Sequence, residues 1–119
     1  MGELSMAYSG RCYSSGISGR SICNARHHHW VSDDSGGDAV GAGELFCAGL
    51  SACAVNLIER IARNEGRVVQ SMDVSSSAWR DMDKQQADLT LYDAMRVRIE
   101  MWGVSDDDAE YLVKAWKSR

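Results

Sequence analysis

Two thiols on one apolar stretch pose the first chemical question of this 119-residue sequence. The segment ELFCAGLSACAVNLIERIARNEG, residues 44–66, carries Cys47 and Cys53, and the other two cysteines are Cys12 and Cys23. A cysteine reacts as its thiolate, so a working thiol needs a cation beside it, whereas apolar burial raises its pKa and leaves it inert. Composition alone reads all four as small hydrophobes filling a core. Inside a helix Cys47 and Cys53 are unable to join each other. Six residues at 1.5 Å rise separate their Cα atoms by about 9 Å, beyond the roughly 7 Å that a disulfide tolerates. The four spacings match neither a CxxC pair nor a zinc-finger frame. His27, His28 and His29 invite a metal reading, but neighbouring side chains on a strand point to opposite faces, so at most His27 and His29 could cooperate. Asp106, Asp107 and Asp108 lack the ligand alternation of a calcium loop. Neither a metal nor a cofactor is expected.

The elements that must position these groups are legible in part. Residues 3–13 (ELSMAYSGRCY) alternate loosely and suit a strand, SSGISG (14–19) is a turn cluster, and RSICNA (20–25) reads as the return strand of a hairpin. HHHWVS is a candidate third strand, and DDSGGDAVGAG (33–43) a Gly/Asp loop able to carry function or simply connect. From Leu45 to Ile58 nearly every residue is apolar, which predicts a helix buried on all sides, with Gly66 as its stop. RVVQSMDVSSS (67–77) alternates with Val68, Met72 and Val74 on one face, and WRDMDKQQA is a polar connection. Residues 87–102 alternate best: Met95, Val97, Ile99 and Met101 face one way, Arg96, Arg98, Glu100 and Trp102 the other, as on a half-buried antiparallel strand. A last helix follows, capped by Ser105, with Asp108 as capping-box acid and Lys114, Lys117 and Arg119 toward its C-terminal end. No internal repeat is present, and 119 residues suit one domain. Strands, a buried helix, more strands and a second helix make an α+β fold.

The bulk composition narrows the function classes. The chain is 45% apolar and 25% charged, with a formal net charge of −4. Phosphate neutralisation needs clustered Lys and Arg, yet no lysine precedes Lys84, so nucleic acid is not an expected partner. The longest apolar run falls short of the roughly 20 residues of a spanning helix, and no membrane association is expected. MGELSMAYSG has neither the basic start nor the apolar core of a signal peptide, which makes a reducing cytoplasm, with free thiols, the default.

The run Glu44-Leu45-Phe46-Cys47-Ala48-Gly49-Leu50-Ser51-Ala52-Cys53, after a Gly-rich loop, resembles the OsmC/Ohr family of osmotically inducible and organic-hydroperoxide-resistance proteins. Members carry an acid-Leu-Leu/Phe-x-Ala-x-x-x-x-Cys run on a long central helix. RVRIEMWGVSDDDAEYLVKAWKSR is similar to the family's strand, short loop and second helix, and the element order fits along essentially the whole chain. The resemblance implies an intertwined homodimer with two central helices packed between sheets, and thiol-dependent reduction of organic hydroperoxides. By the same resemblance Cys53 is the peroxidatic cysteine, Glu44 lies on or beside the active-site acid, and an arginine comes from the N-terminal strands. Arg20 is the nearest candidate, with Arg11 or Arg26 as alternatives. The family's resolving cysteine comes in a Cys-Pro pair just where this sequence reaches Lys117-Ser118-Arg119. The resemblance therefore implies a member shortened before that pair and the final strand, whose sulfenic acid is reduced by an external small thiol. The prolines usual before the central helix are replaced by AVGAG. A shortened member that binds a small apolar ligand, or only forms an oligomer, is the alternative.

Two geometric points bear on that chemistry. Asn56 at i+3 and Arg60 at i+7 share the helical face of Cys53, so Arg60, about 10 Å along the axis, could be the cation. Glu44 lies nine residues away, on the opposite side of the helix and roughly 13 Å along it. Either Glu44 serves a partner subunit's thiol in a composite site, or it is a first-turn acid facing the helix dipole.

Overall fold

A computed structural model describes residues 2–35, 37–83 and 92–118. Its elements follow in the order β1 (Arg11–Ser14), β2 (Arg20–Ala25), β3 (His28–Asp33), α1 (Ala42–Asn64), β4 (Ser71–Trp79), β5 (Ala94–Trp102) and α2 (Asp106–Lys117). The chain divides into two compact units, Met1–Leu45 and Phe46–Arg119. Two helices and antiparallel sheets give the expected α+β class.

The first unit holds a three-stranded antiparallel sheet in the order β1-β2-β3. β2 and β3 pair from Arg20 opposite Asp33 to Ala25 opposite His28, across a two-residue turn in which Arg26 has φ of 56°. That left-handed conformation is uncommon outside glycine and short polar residues. The turn explains why β1 covers only Arg11–Ser14 rather than all of residues 3–13. β1 pairs from Ser14 opposite Ser21 to Arg11 opposite Asn24, and β2 has one residue left before it turns. Among the described residues no strand therefore lies opposite residues 3–9, and alternation without a ladder partner does not make a strand. Cys23 is buried at 2% exposure, while Tyr13, Ile17, Trp30, Val31 and Val40 stay exposed.

The second unit has a core. Ile58, Ile61 and Ala62 of α1 and Leu112 of α2 are buried together, with Met72 of β4 and Ile99 and Met101 of β5 packed against them. The β4–β5 ladder sets Met72 opposite Met101 and Val74 opposite Ile99, so the two alternating patterns turn the same face inward. Val68, expected on that face, precedes the strand and is exposed. Trp79, expected in the connection, is the last residue of β4; residues 84–91 of the expected connection and strand lie outside the described residues. α1 ends in a Schellman motif: Arg67 N–H donates to the Ala62 carbonyl at 2.8 Å and Gly66, φ 66°, donates to Arg63 at 3.3 Å. At α2 the Ser105 hydroxyl accepts from Asp108 N–H at 3.1 Å, but the Asp108 carboxylate takes Arg67 as its partner. The capping box is thus half made, because a guanidinium is a stronger hydrogen-bond partner than the cap's own N–H.

Two expectations about α1 are corrected. It is not covered on all sides. Ala54, Ile58, Ile61 and Ala62 are buried, whereas Phe46, Ala48, Gly49, Ala52, Cys53 and Asn56 are exposed. Apolar composition all round requires a cover all round, but a single copy supplies it on one side. At 23 residues, α1 is also long and apolar enough, by length and composition, to cross a membrane, although the sequence suggested a shorter run.

Candidate active site

Cys53 owes its place to helical periodicity. Ser51 and Ala54 lie on the covered side of α1, and Ser51 Oγ meets Ser76 Oγ of β4 at 2.7 Å. Cys53 therefore projects on the open side, with Asn56 and Arg60 exposed in the same stripe. Among the described residues no carboxylate is paired with Arg60. Cys47 is half-buried, in keeping with a packing role.

Glu44 is used locally. Leu45 N–H donates to the Gly41 carbonyl at 3.0 Å, which makes Gly41 the N-cap, and Glu44 Oε1 accepts from the Gly41 N–H at 2.9 Å. This is the reach-back half of a capping box, and it places the carboxylate at the positive end of the helix dipole.

Arg20 sits at the start of β2 and finds its acids elsewhere. Its Nη1 donates to Asp33 Oδ2 at 2.9 Å and to Asp38 Oδ1 at 3.0 Å. Arg20 and Asp33 are direct cross-strand partners, and the Gly/Asp loop brings Asp38 back to the same guanidinium. Asp33 is itself held. Its Oδ1 accepts from Ser35 N–H at 2.7 Å and from the Ser35 hydroxyl. The structure thus brings Arg20 to Asp33 and Asp38, and leaves Glu44 on Gly41. Asp33 and Asp38 were missed in the sequence as partners of Arg20. The available signal was the hairpin itself: RSICNA against HHWVSD across a two-residue turn places Arg20 opposite Asp33. Of the alternatives, Arg26 occupies the exposed β2–β3 turn, and the Arg11 guanidinium lies 4.7 Å from the ring centre of Tyr13. The His27 and His28 rings are 4.4 Å apart, and among the described residues no three His, Cys, Asp or Glu side chains are grouped to hold a metal ion.

The two aspartates raise the pKa of Arg20, Asp38 foremost. The Ser35 hydroxyl and N–H, then Arg20, lower that of Asp33 below its ordinary 3.8. A carboxylate with a depressed folded pKa stabilises the fold above its unfolded pKa and loses that contribution as pH falls through the lower value. The Ser35 amide proton points at Asp33, so its NMR shift should titrate with a midpoint below 3.8, and the step should vanish in Asp33→Asn. A midpoint at or above 3.8 would contradict the pairing.

The architecture matches solved structures across nearly the whole chain. An OsmC-like protein from Mycoplasma pneumoniae superposes with a TM-score of 0.83, covering 98% of this chain and 84% of that one at 10% identity. This chain has the OsmC/Ohr fold. An organic hydroperoxide resistance protein OsmC from Legionella pneumophila matches at a TM-score of 0.63 and 15% identity, covering 98% of this chain and 85% of that one. An OsmC-like protein of unknown function from Vibrio cholerae matches at 0.66 and 13%, covering 96% and 89%. No family model and no curated protein matches the sequence. The OsmC/Ohr likeness is one of fold, with α1 as the long central helix that carries Cys53.

Proposed function

We propose that this OsmC/Ohr-fold protein reduces organic hydroperoxides through Cys53, as a homodimer, with an external small thiol as reductant. The observation that carries the reading is the exposed thiol of Cys53 on an otherwise apolar helix. A cysteine that merely fills a core is buried, and this one is open to a small oxidant. The fold shared with an organic hydroperoxide resistance protein supports the same chemistry. The thiolate attacks the distal peroxide oxygen, the O–O bond breaks, and the alkoxide leaves as alcohol on taking a proton. The resulting sulfenic acid condenses with a small thiol, releasing water, and a second thiol attacks the sulfur of the first, displacing Cys53 as its thiolate and leaving as a small disulfide.

The dimer is argued from what one copy leaves open. In the first unit Cys23 is the one apolar residue buried among those described, and a unit of some 45 residues is too small to hold by such a core. The open face of α1 presents Phe46, Ala48 and Ala52 for a second copy that leaves Cys53 reachable. A second copy suits this surface better than lipid does. The same helix is hydrogen-bonded to a two-stranded sheet whose edges would hold unpaired N–H groups in hydrocarbon. Sedimentation of the reduced protein should give twice the chain mass. A monomer that stays folded at micromolar concentration would count against the dimer.

One observation favours a second reading, in which the fold binds a small apolar ligand without turnover. Arg20 is shared by two aspartates and Glu44 accepts from its helix cap, which leaves less of either for a thiol than the resemblance implied. Cumene hydroperoxide decides between them. The peroxidase reading expects a trapped sulfenic acid on Cys53 by mass spectrometry. An unmodified Cys53 that also labels slowly with a thiol reagent in the folded protein leaves the binding reading.

A further inference from the structure

The other two cysteines face each other. Cys12 of β1 and Cys23 of β2 are direct partners in the antiparallel ladder. Hydrogen bonds further along identify which kind of pair they form. Ser15 N–H donates to the Arg20 carbonyl at 3.4 Å, and Asp34 N–H donates to the Gly19 carbonyl at 2.8 Å. The first marks Ser15–Arg20 as a hydrogen-bonded pair of the β1–β2 ladder. The second marks Gly19–Asp34 as one of β2–β3. Strict alternation then makes Tyr13–Ile22 hydrogen-bonded and Cys12–Cys23 a non-hydrogen-bonded pair. In such pairs the Cα atoms are about 4.5 Å apart and the side chains closest, inside the range that a disulfide spans. Both cysteines are free thiols here.

Their environments divide the labour. Cys12 is exposed, beside a shallow depression of about 490 Å³ lined by Cys12, Tyr13, Ser14, Arg20 and Ser21, which has room for a small molecule. Cys23 is buried, flanked across the sheet by Trp30 and along its own strand by the Ser21 hydroxyl, 3.7 Å from Sγ. An external reagent meets Cys12 first and finds Cys23 already opposite it. The hydrogen bond with Cys23 raises the pKa of Cys12 above its ordinary 9.0, so Cys12 rests as a thiol.

We propose that Cys12 and Cys23 form a reversible cross-strand disulfide, a redox clamp on the β1–β2 hairpin, closed by a low-molecular-weight disulfide. Cys12 gives up its proton and attacks one sulfur of the reagent. The reagent's S–S bond breaks, a mixed disulfide forms on Cys12, and one small thiol leaves with that proton. Cys23 then attacks Cys12 Sγ and displaces the second small thiol. Two cysteine thiols and one disulfide become one protein disulfide and two small thiols, with two electrons passing to the reagent. The bond would close a loop of about a dozen residues around the turn that precedes Arg20, restricting its open states.

The clamp depends on neither Cys53 nor the peroxidase reading. The test equilibrates the full-length reduced protein with oxidised and reduced glutathione, blocks remaining thiols, and digests with trypsin without reduction. Cleavage after Arg11, Arg20 and Arg26 puts Cys12 in CYSSGISGR, Cys23 in SICNAR, and Cys47 and Cys53 together in a third peptide. The expected product is CYSSGISGR linked to SICNAR, from protein whose single-chain mass has lost two hydrogens. Cys53→Ser should form it equally. Cys23→Ser should stop as glutathione on Cys12, and Cys12→Ser should leave Cys23 unmodified. Hydrogen exchange of the β1 and β2 amides should slow by roughly 10- to 100-fold on oxidation. Glutathione accumulating on Cys12 of the wild-type chain without a linked peptide would overturn the proposal, as would linkage of Cys12 to the Cys53 peptide. The wild-type digest decides even where a variant folds poorly.

Discussion

Truncating Leu112 to alanine should lower the unfolding free energy by about 2–5 kcal/mol, the range for a buried leucine whose cavity does not collapse. Leu112 has no exposed surface and lies in the cluster that joins α2 to Ile58, Ile61 and Ala62 of α1. α2 has 12 residues, a length at which an isolated helix is marginal in water. Its cap at Ser105 and its aspartates help by a kcal/mol or so each at most, so docking of Leu112 decides whether it forms. Gly103, φ 69°, follows β5 on the way into α2, with Gln70 packed where a Cβ would sit. Urea unfolding should show the loss as a lower midpoint at unchanged slope. The neighbouring Tyr111 gives the contrast. It is 40% exposed, with its hydroxyl on Glu65 and Arg67 over its ring, so Tyr111→Ala should cost about 1 kcal/mol. Equal losses at the two positions would mean that α2 is not held by this core.

Leu112 also marks where sequence patterning is most readable. Its helix, with Ser105 as cap, and the alternation of β5 depend on residues close in the chain, and both stand where periodicity places them. β2 and β3 are equally local, separated by two residues. What failed was non-local. The extent of β1 depends on where β2 turns at Arg26. The partners of Arg20 depend on a hairpin register and a loop returning through Asp38. The open side of α1 depends on what else covers an apolar helix, which the composition of that helix does not carry. The candidate site inherits this division. Cys53 is a candidate from the run Glu44–Cys53 alone, while the carboxylates around the arginine were not legible, because aspartates in a Gly-rich loop look like solvated loop residues until the fold closes it.

Those carboxylates set the terms for the second large effect. Replacing Cys53 with serine should abolish thiol-dependent turnover of cumene hydroperoxide, a fall of about 10³-fold or more, since an alcohol at this position stays protonated and forms no sulfenic acid. Cys47→Ser is the control. It removes a half-buried thiol from the same helix and should leave the rate per folded protein unchanged. Exposure makes Cys53 reachable but does not ionise it, and a thiolate at neutral pH needs a cation. Arg60 has no carboxylate partner among the described residues, whereas Arg20 is shared between Asp33 and Asp38. Arg60→Met and Arg20→Met therefore separate two sources of positive charge. The one that supports Cys53 should raise the pH at which the thiol reacts and slow sulfenic acid formation roughly 10²-fold, the scale of one preorganised charge-stabilising donor. If Arg20 is that residue, Asp33→Asn should act in the opposite direction, because removing one of its two anionic partners leaves more of its charge unopposed. Retention of full peroxidase rate by Cys53→Ser would remove the thiol from the mechanism and, with it, the need for either arginine.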